Sequence, residues 1–171
     1  VSVFTPTWLV TAIYTLTPTT LKRHGIQAVL CDLDNTLIAW NNPDGTPALK
    51  AWLETMQNAG ITVMVVSNNN HDRVARALRQ LDLPFVSRAL KPLPVGIDRA
   101  VRQLDLPKTA VVMVGDQVLT DILAARTAGV RSILVRPLIE SDAWNTRITR
   151  FFERIVMRAM KPLHYQEDLN D

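Results

Sequence analysis

One cysteine, Cys31, in a chain of 171 residues excludes a disulfide framework and a cysteine-based zinc cluster. Three separated histidines, His24, His71 and His164, do not make a His-rich metal site. Glycine is sparse at 6, so low-complexity linkers are not expected. No apolar run is long enough to span a bilayer: the most apolar part of the N-terminal segment, Trp8 to Leu16, falls well short of the roughly 20 residues a spanning helix needs. The first 21 residues carry no charge but hold seven threonines and two prolines. Lys22 and Arg23 follow the apolar stretch, whereas a secretory signal places its basic residues ahead of it. The expected compartment is the cytoplasm, with peripheral contact at a membrane surface left open. The formal net charge of +3 is too small to call for nucleic acid by itself.

Apolar residues make up 47% and charged residues 20%, the balance of a soluble globular chain. The length suits a single domain over residues 1–171. Five β-rich runs recur, at Ala28–Leu33, Ile61–Val66, Phe85–Arg88, Ala110–Val114 and Arg131–Val135. They are continuously apolar, as in strands buried on both faces of a parallel sheet. Segments of helical spacing lie between them. Thr46 reads as an N-cap, Pro47 as the first helical residue and Gly60 as the stop, with Leu49, Trp52, Leu53 and Met56 on one face. Val74, Ala77, Leu78 and Leu81 repeat similarly, as do Ile97, Ala100, Val101 and Leu104, and a further helix is expected from Leu119 to Ala128 with Gly129 ending it. The alternation predicts an α/β fold: a doubly wound parallel sheet of about five strands with helices on both faces, its core at about residues 26–136. The N-terminal segment 1–25 and a helix at about 144–160 read as extensions.

In such sheets ligands bind at the carboxyl ends of the strands. The first run ends in Asp32-Leu33-Asp34-Asn35-Thr36. Two carboxylates at the end of a buried strand are disfavoured by burial and by mutual repulsion, and a hard divalent cation would relieve both. The alternative is an Asp-Asn turn. The second run ends in Ser67-Asn68-Asn69-Asn70, which offers donors to a phosphoryl oxygen or, equally, a cap for a helix at His71. Lys91 supplies a point charge suited to phosphate, or merely solvated surface. The fourth run continues into Gly115-Asp116-Gln117-Val118-Leu119-Thr120-Asp121, where Asp116 could instead cap the next helix. Taken together, four successive strand ends deliver groups suited to one task, the handling of phosphate with a divalent cation.

These residues resemble the motifs of the haloacid-dehalogenase-like (HAD) phosphohydrolase superfamily. Asp32-Leu33-Asp34-Asn35-Thr36 matches the first motif, Ser67 the second, Lys91 the third, and Gly115-Asp116 with Asp121 the fourth. The Asp-Leu-Asp-Asn-Thr and Gly-Asp-Gln-x-x-Thr-Asp versions are most similar to the YqeG family of subclass IIIA phosphatases, which is related to mitochondrial phosphatidylglycerophosphate phosphatases. The resemblance implies that Asp32 is the nucleophile and that Asp34 is acid, then base. It implies that Mg²⁺ is held by the carboxylates of Asp32 and Asp116 and the backbone carbonyl of Asp34. Ser67 and Lys91 would hold the phosphoryl group, Asp121 would support the metal waters or orient Lys91, Thr36 would steady the first loop, and Asn68 would contact substrate.

Relatives with a cap domain carry it after the first motif or between the second and third. Ten positions separate Thr36 from Thr46 and 24 separate Ser67 from Lys91, too few for a folded cap. An open site is expected, with Ile38 to Gly45 as a small flap in which Trp40, Asn41 and Asn42 either touch substrate or form a surface turn. Arg147, Arg150, Arg154, Arg158 and Lys161 recur beside Ile148, Phe151, Phe152, Ile155 and Ala159, a basic amphipathic helix that could lie on an anionic membrane or pack on the chain's own core. The expected partner is a phosphate ester, a small molecule or a lipid head group. A non-catalytic module docking RNA or protein through the basic helix is the alternative. The sequence leaves the oligomeric state open.

Overall fold

The computed structural model describes residues 3–39, 42, 45–138, 151, 154, 155, 158 and 165–170. Within them lies one six-stranded sheet. Its strands are β1 (Trp8–Val10), β2 (Ala28–Cys31), β3 (Thr62–Val66), β4 (Phe85–Val86), β5 (Val111–Gly115) and β6 (Arg131–Val135). All pairings are parallel, in the order β1-β6-β5-β2-β3-β4. The helices are α1 (Pro18–Arg23), α2 (Pro47–Asn58), α3 (His71–Ala77), α4 (Val95–Leu104) and α5 (Leu123–Ala128).

The continuous apolar runs explain the layering. β2 and β5 are buried at every position. Val29, Cys31, Val63, Val65, Val112 and Val114 face one side with Leu21 of α1, Leu49 and Met56 of α2 and Val74 of α3. Ala28, Leu30, Met64, Val66, Val111 and Met113 face the other with α4 and α5. This is the expected doubly wound arrangement. α2 begins as expected: Thr46 Oγ1 accepts from Leu49 N at 3.1 Å and Pro47 takes the first helical position. Gly60 follows at φ +76, a conformation that suits glycine at a helix exit.

Two regions differ from expectation. The N-terminal segment is part of the sheet: β1 pairs with β6, Trp8 against Ile133 and Val10 against Val135. The apolar stripe Trp8, Leu9, Ala12, Ile13, Leu16 has helical spacing. Yet Trp8–Val10 is strand, and only Ile13–Thr15 forms a short 3-10 turn. A place on the open edge of β6 outweighs the local pattern. The helix expected from Leu119 instead starts with a π-helical turn, Val118–Ile122, before α5.

Residues 165–170 cover β1. Gln166 N donates to Leu9 O at 3.0 Å, and Gln166 O accepts from Thr11 N at 2.7 Å. Both carboxylate oxygens of Asp168 accept hydroxyls, from Thr17 and Thr20, at 2.6 Å. Leu169 is buried. The sheet edge is thereby shielded from pairing with another chain. Of the basic helix expected at about 144–160, Phe151, Arg154, Ile155 and Arg158 are described, and all four are helical; its other residues, and Trp40 and Asn41 of the flap, lie outside the described residues. Among the described residues no helix is long and apolar enough to cross a membrane.

The tail is therefore predicted to be a structural clamp. Leu169→Ala should lower stability by about 2–4 kcal/mol, the usual cost of emptying a buried leucine site. Thermal unfolding measures it; an unchanged melting temperature would mean that the tail does not pack on β1.

Candidate active site

The strand order reverses direction around β2. From β2 the chain moves outward to β3 and β4, then returns to β5 on the other flank and continues to β6. The crevice of an open parallel sheet lies at such a reversal, at the carboxyl ends of the strands. Cys31 pairs with Val114 of β5 and with Val65 of β3, so the residues just beyond them emerge side by side. Asp32 follows β2, with its N–H on Val114 O at 3.1 Å; Asp116 follows β5; Ser67 follows β3.

Lys91 enters from the loop after β4 and ties the floor together. Its side chain is 2% exposed, and its Nζ donates to Asp121 Oδ1 at 2.7 Å and to Asp32 Oδ1 at 3.1 Å. Asp121 is completely buried, and its other oxygen accepts from Gln117 N at 3.2 Å. Gly115 makes this closeness possible: a Cβ there would lie 2.3 Å from the Asp121 carboxylate, far inside contact distance. Asp121 sits in the π-helical turn, a feature that recurs where a helix must re-aim a side chain. Thr36 donates to Asp116 Oδ1 at 3.0 Å, so it fixes a carboxylate as well as its own loop. Asp116 caps no helix.

Asp32, Asp116 and Asp121 each offer an oxygen within 4.8 Å of the others. Among the described residues Lys91 is the single ammonium in hydrogen-bond contact with the group, so negative charge is in excess. Burial, then the Asp121 charge, pushes Asp32 up to about 7 in spite of Lys91. Burial, then Asp121 and Asp32, pushes Asp116 up to about 8. Lys91 itself is held well above the ordinary lysine value: burial opposes its charge, and the two carboxylates more than compensate. The donor set is all carboxylate oxygen, and it is short of positive charge. Both properties fit a hard divalent cation such as Mg²⁺.

The remaining expected residues divide between the rim and the buried floor. Asp34 is turned away from the carboxylate cluster. It accepts from Asn69 Nδ2 at 3.0 Å and lies 3.6 Å from the Arg73 guanidinium, with its side chain 43% exposed. Ser67 is buried, and its Oγ accepts from Asn69 N at 3.1 Å, which leaves the hydroxyl proton free for another acceptor. Asn68 holds the Lys91 backbone, its amide donating to Lys91 O at 3.0 Å and accepting from Lys91 N at 2.8 Å. It positions the lysine. Asn70, the last of the three asparagines, caps α3 by accepting from Arg73 N at 2.9 Å. Asn69 and Arg73 were not singled out from the sequence as site residues. Three successive asparagines after a buried strand were the available signal, but which one caps, which pins and which bridges is decided only by the packed loops.

A family model described as HAD-hydrolase-like matches residues 89–150. A protein of Bacillus subtilis (strain 168) named "Probable phosphatase YqeG" is 42% identical over 158 residues, which cover 92% of each chain. Among solved structures, the fold resembles 4-nitrophenylphosphatase from Thermotoga maritima, with a TM-score of 0.62, 14% identity, and 86% of this chain and 95% of that chain covered. It also resembles NagD from E. coli, with a TM-score of 0.58, 14% identity, and 84% and 95% covered. At those identities the two structures speak for the fold alone.

The crowded carboxylates predict how stability varies with pH when metal is removed. Both acids bind protons more tightly folded than unfolded. Their contribution is therefore fully present below the ordinary carboxylate value of 3.8 and is lost as pH rises through about 7 for Asp32 and about 8 for Asp116. In chelator, the melting temperature should fall from about pH 5.5 to about pH 8.5, by the equivalent of a few kcal/mol at most, and Asp116→Asn should flatten the fall. A flat profile for the unaltered protein would contradict the charge excess.

Proposed function

The chain belongs to the haloacid-dehalogenase-like superfamily as a YqeG-type phosphatase, and from that premise we propose that it hydrolyses phosphate monoesters by way of a phosphoryl group carried on Asp32. The observation that supports this most is the contrast between the two carboxylates of one loop. Asp32 is 17% exposed at its side chain and fixed at a single oxygen by Lys91. Asp34 is at the rim, with its side chain 43% exposed. Two acids in different environments can take different roles.

In the first step a carboxylate oxygen of Asp32 bonds to phosphorus while the bond from phosphorus to the ester oxygen breaks. Asp34, protonated, gives its proton to the departing alkoxide, and the alcohol leaves. In the second step a water oxygen attacks phosphorus and loses its proton to Asp34. The bond between Asp32 and phosphorus then breaks, and inorganic phosphate departs. Lys91 faces the transferring oxygens and offsets their charge, and the Ser67 hydroxyl donates to one of them. Asn68 and Asp121 hold Lys91 at its backbone and its ammonium. Asp32, the Asp34 carbonyl and Asp116 would hold Mg²⁺, which supplies charge neutralisation to phosphoryl oxygens when bound.

Phosphatidylglycerophosphate is the substrate we propose. Three things support it: the relationship of this phosphatase family to the mitochondrial enzymes, the lack of chain length for a cap, and a basic amphipathic pattern that suits peripheral contact with an anionic membrane from the cytoplasm. The non-catalytic alternative has little to recommend it when a complete set of phosphatase residues is assembled at one crevice.

Asp32→Asn should reduce turnover of p-nitrophenyl phosphate in Mg²⁺ by about a thousandfold or more, while leaving the fold intact. Equal rates in the two proteins would exclude Asp32 as nucleophile. Chelation should abolish hydrolysis, and added Mg²⁺ should restore it; full activity in chelator would exclude a divalent cation. Phosphate release from phosphatidylglycerophosphate, measured both in detergent and in vesicles, tests the substrate. No release in either would remove it.

A further inference from the structure

Beside the crevice lies a second concavity of about 530 Å³, lined by Asn70, His71, Asp72, Arg73, Arg76 and Arg88. Three arginines are among its lining residues. Arg73 and Arg76 stand three residues apart on one face of α3, and Arg88 reaches in from the loop after β4. The one carboxylate in the lining, Asp72, is 91% exposed and lies 3.5 Å from the His71 ring. Arg73 is engaged by Asp34. Arg76 and Arg88 have no carboxylate partner among the described residues.

The loop holding Arg88 is fixed in an uncommon conformation. Arg88 sits at φ +46, a region that costs a non-glycine residue energy, and its N–H donates to Asn69 O at 2.8 Å. Asn69 thus serves both concavities. Its side-chain NH₂ donates to Asp34, its side-chain oxygen accepts from Arg73 at 3.3 Å, its backbone N–H donates to Ser67, and its backbone oxygen holds Arg88. The arginine cleft is built against the acid that serves the leaving alcohol. An alcohol that takes its proton from Asp34 would depart on the side of Arg73, which lines the cleft.

We infer that the cleft formed by Arg73, Arg76 and Arg88 binds a second anionic group on the leaving alcohol, so that the preferred substrates are phosphomonoesters whose alcohol also bears a phosphate or phosphodiester. Guanidinium groups match phosphate oxygens in charge and in fork geometry. The second anion anchors the alcohol without entering the chemical step, so the cleft governs selectivity. The inference rests on the assignment of Asp34 to the leaving-group side. A soluble bisphosphate and a lipid head group with an internal phosphodiester share this chemistry.

The test compares propyl phosphate, propane-1,3-diol bisphosphate and phosphatidylglycerophosphate in detergent micelles, with unaltered protein and with an Arg76→Ala/Arg88→Ala double variant. The unaltered protein should favour the bisphosphate over propyl phosphate by about tenfold or more in kcat/KM, mainly through KM, and the double variant should lose that preference. The preference should also weaken with added salt. Equilibrium binding of the same two soluble esters to Asp32→Asn protein should show the same contrast without turnover. Turnover of both soluble esters with less than about twofold preference, or a preference that survives the double variant, would overturn the cleft assignment and leave the phosphatase reading standing. Preference for the lipid alone would also overturn it, because partition into micelles would then explain the selectivity. Absence of turnover together with an arginine-dependent binding contrast would instead count against the hydrolytic reading and support the anion site.

Discussion

Three carboxylates share one buried ammonium at the ends of β2 and β5, and that imbalance is the constraint on which the site depends. Lys91 satisfies Asp121 and one oxygen of Asp32. Among the described residues Asp116 receives the Thr36 hydroxyl and a backbone N–H, and no ammonium. A chain that gathers this much negative charge in a place nearly closed to water must either hold protons there or bind a cation. The same imbalance gives the site its chemical direction. A hard cation would restore the balance, and Asp32 at the carboxyl end of β2 would then be ionised for the proposed attack on phosphorus.

The surrounding scaffold serves to keep these groups close and distinct. The lack of a side chain at Gly115 lets Asp121 press against the strand end, and the π-helical turn brings that carboxylate back toward Lys91. Asn68 clamps the lysine's backbone at both its N–H and its carbonyl. One residue later, Asn69 turns Asp34 outward and joins it to Arg73. Adjacent asparagines therefore serve different partners, one the Lys91 backbone and the other Asp34 with Arg73. Two aspartates separated by one leucine acquire different surroundings from this division alone.

Most of the scaffold was legible because buried parallel strands are written as continuous apolar runs and each run ends in polar residues. Asp32, Ser67, Lys91 and Asp116 could be placed at one sheet edge on that basis, and Thr46, Pro47 and Gly60 bounded α2 closely. The less legible parts depend on contacts between distant segments. β1 is three residues long and acquires its state from β6 and from a tail more than 150 residues away in sequence, joined through Gln166 and Asn170. Nothing local distinguishes Trp8–Val10 from the start of an amphipathic helix. The π-helical turn likewise has no periodic signature of its own. The bonding of Asn68 to Lys91 and the lining of one concavity by Arg73 and Arg88 arise where separate segments meet, and a single chain read in order does not reveal such meetings.

The most direct measurement is a crystal structure of the protein with Mg²⁺ and beryllium fluoride, which mimics a phosphoryl group bound to a carboxylate. The expected result is beryllium bonded to an Asp32 oxygen, the cation shared between Asp32 and Asp116, and the Lys91 ammonium on a fluoride. Beryllium fluoride bound at another residue, or a cation seated away from these two carboxylates, would contradict it.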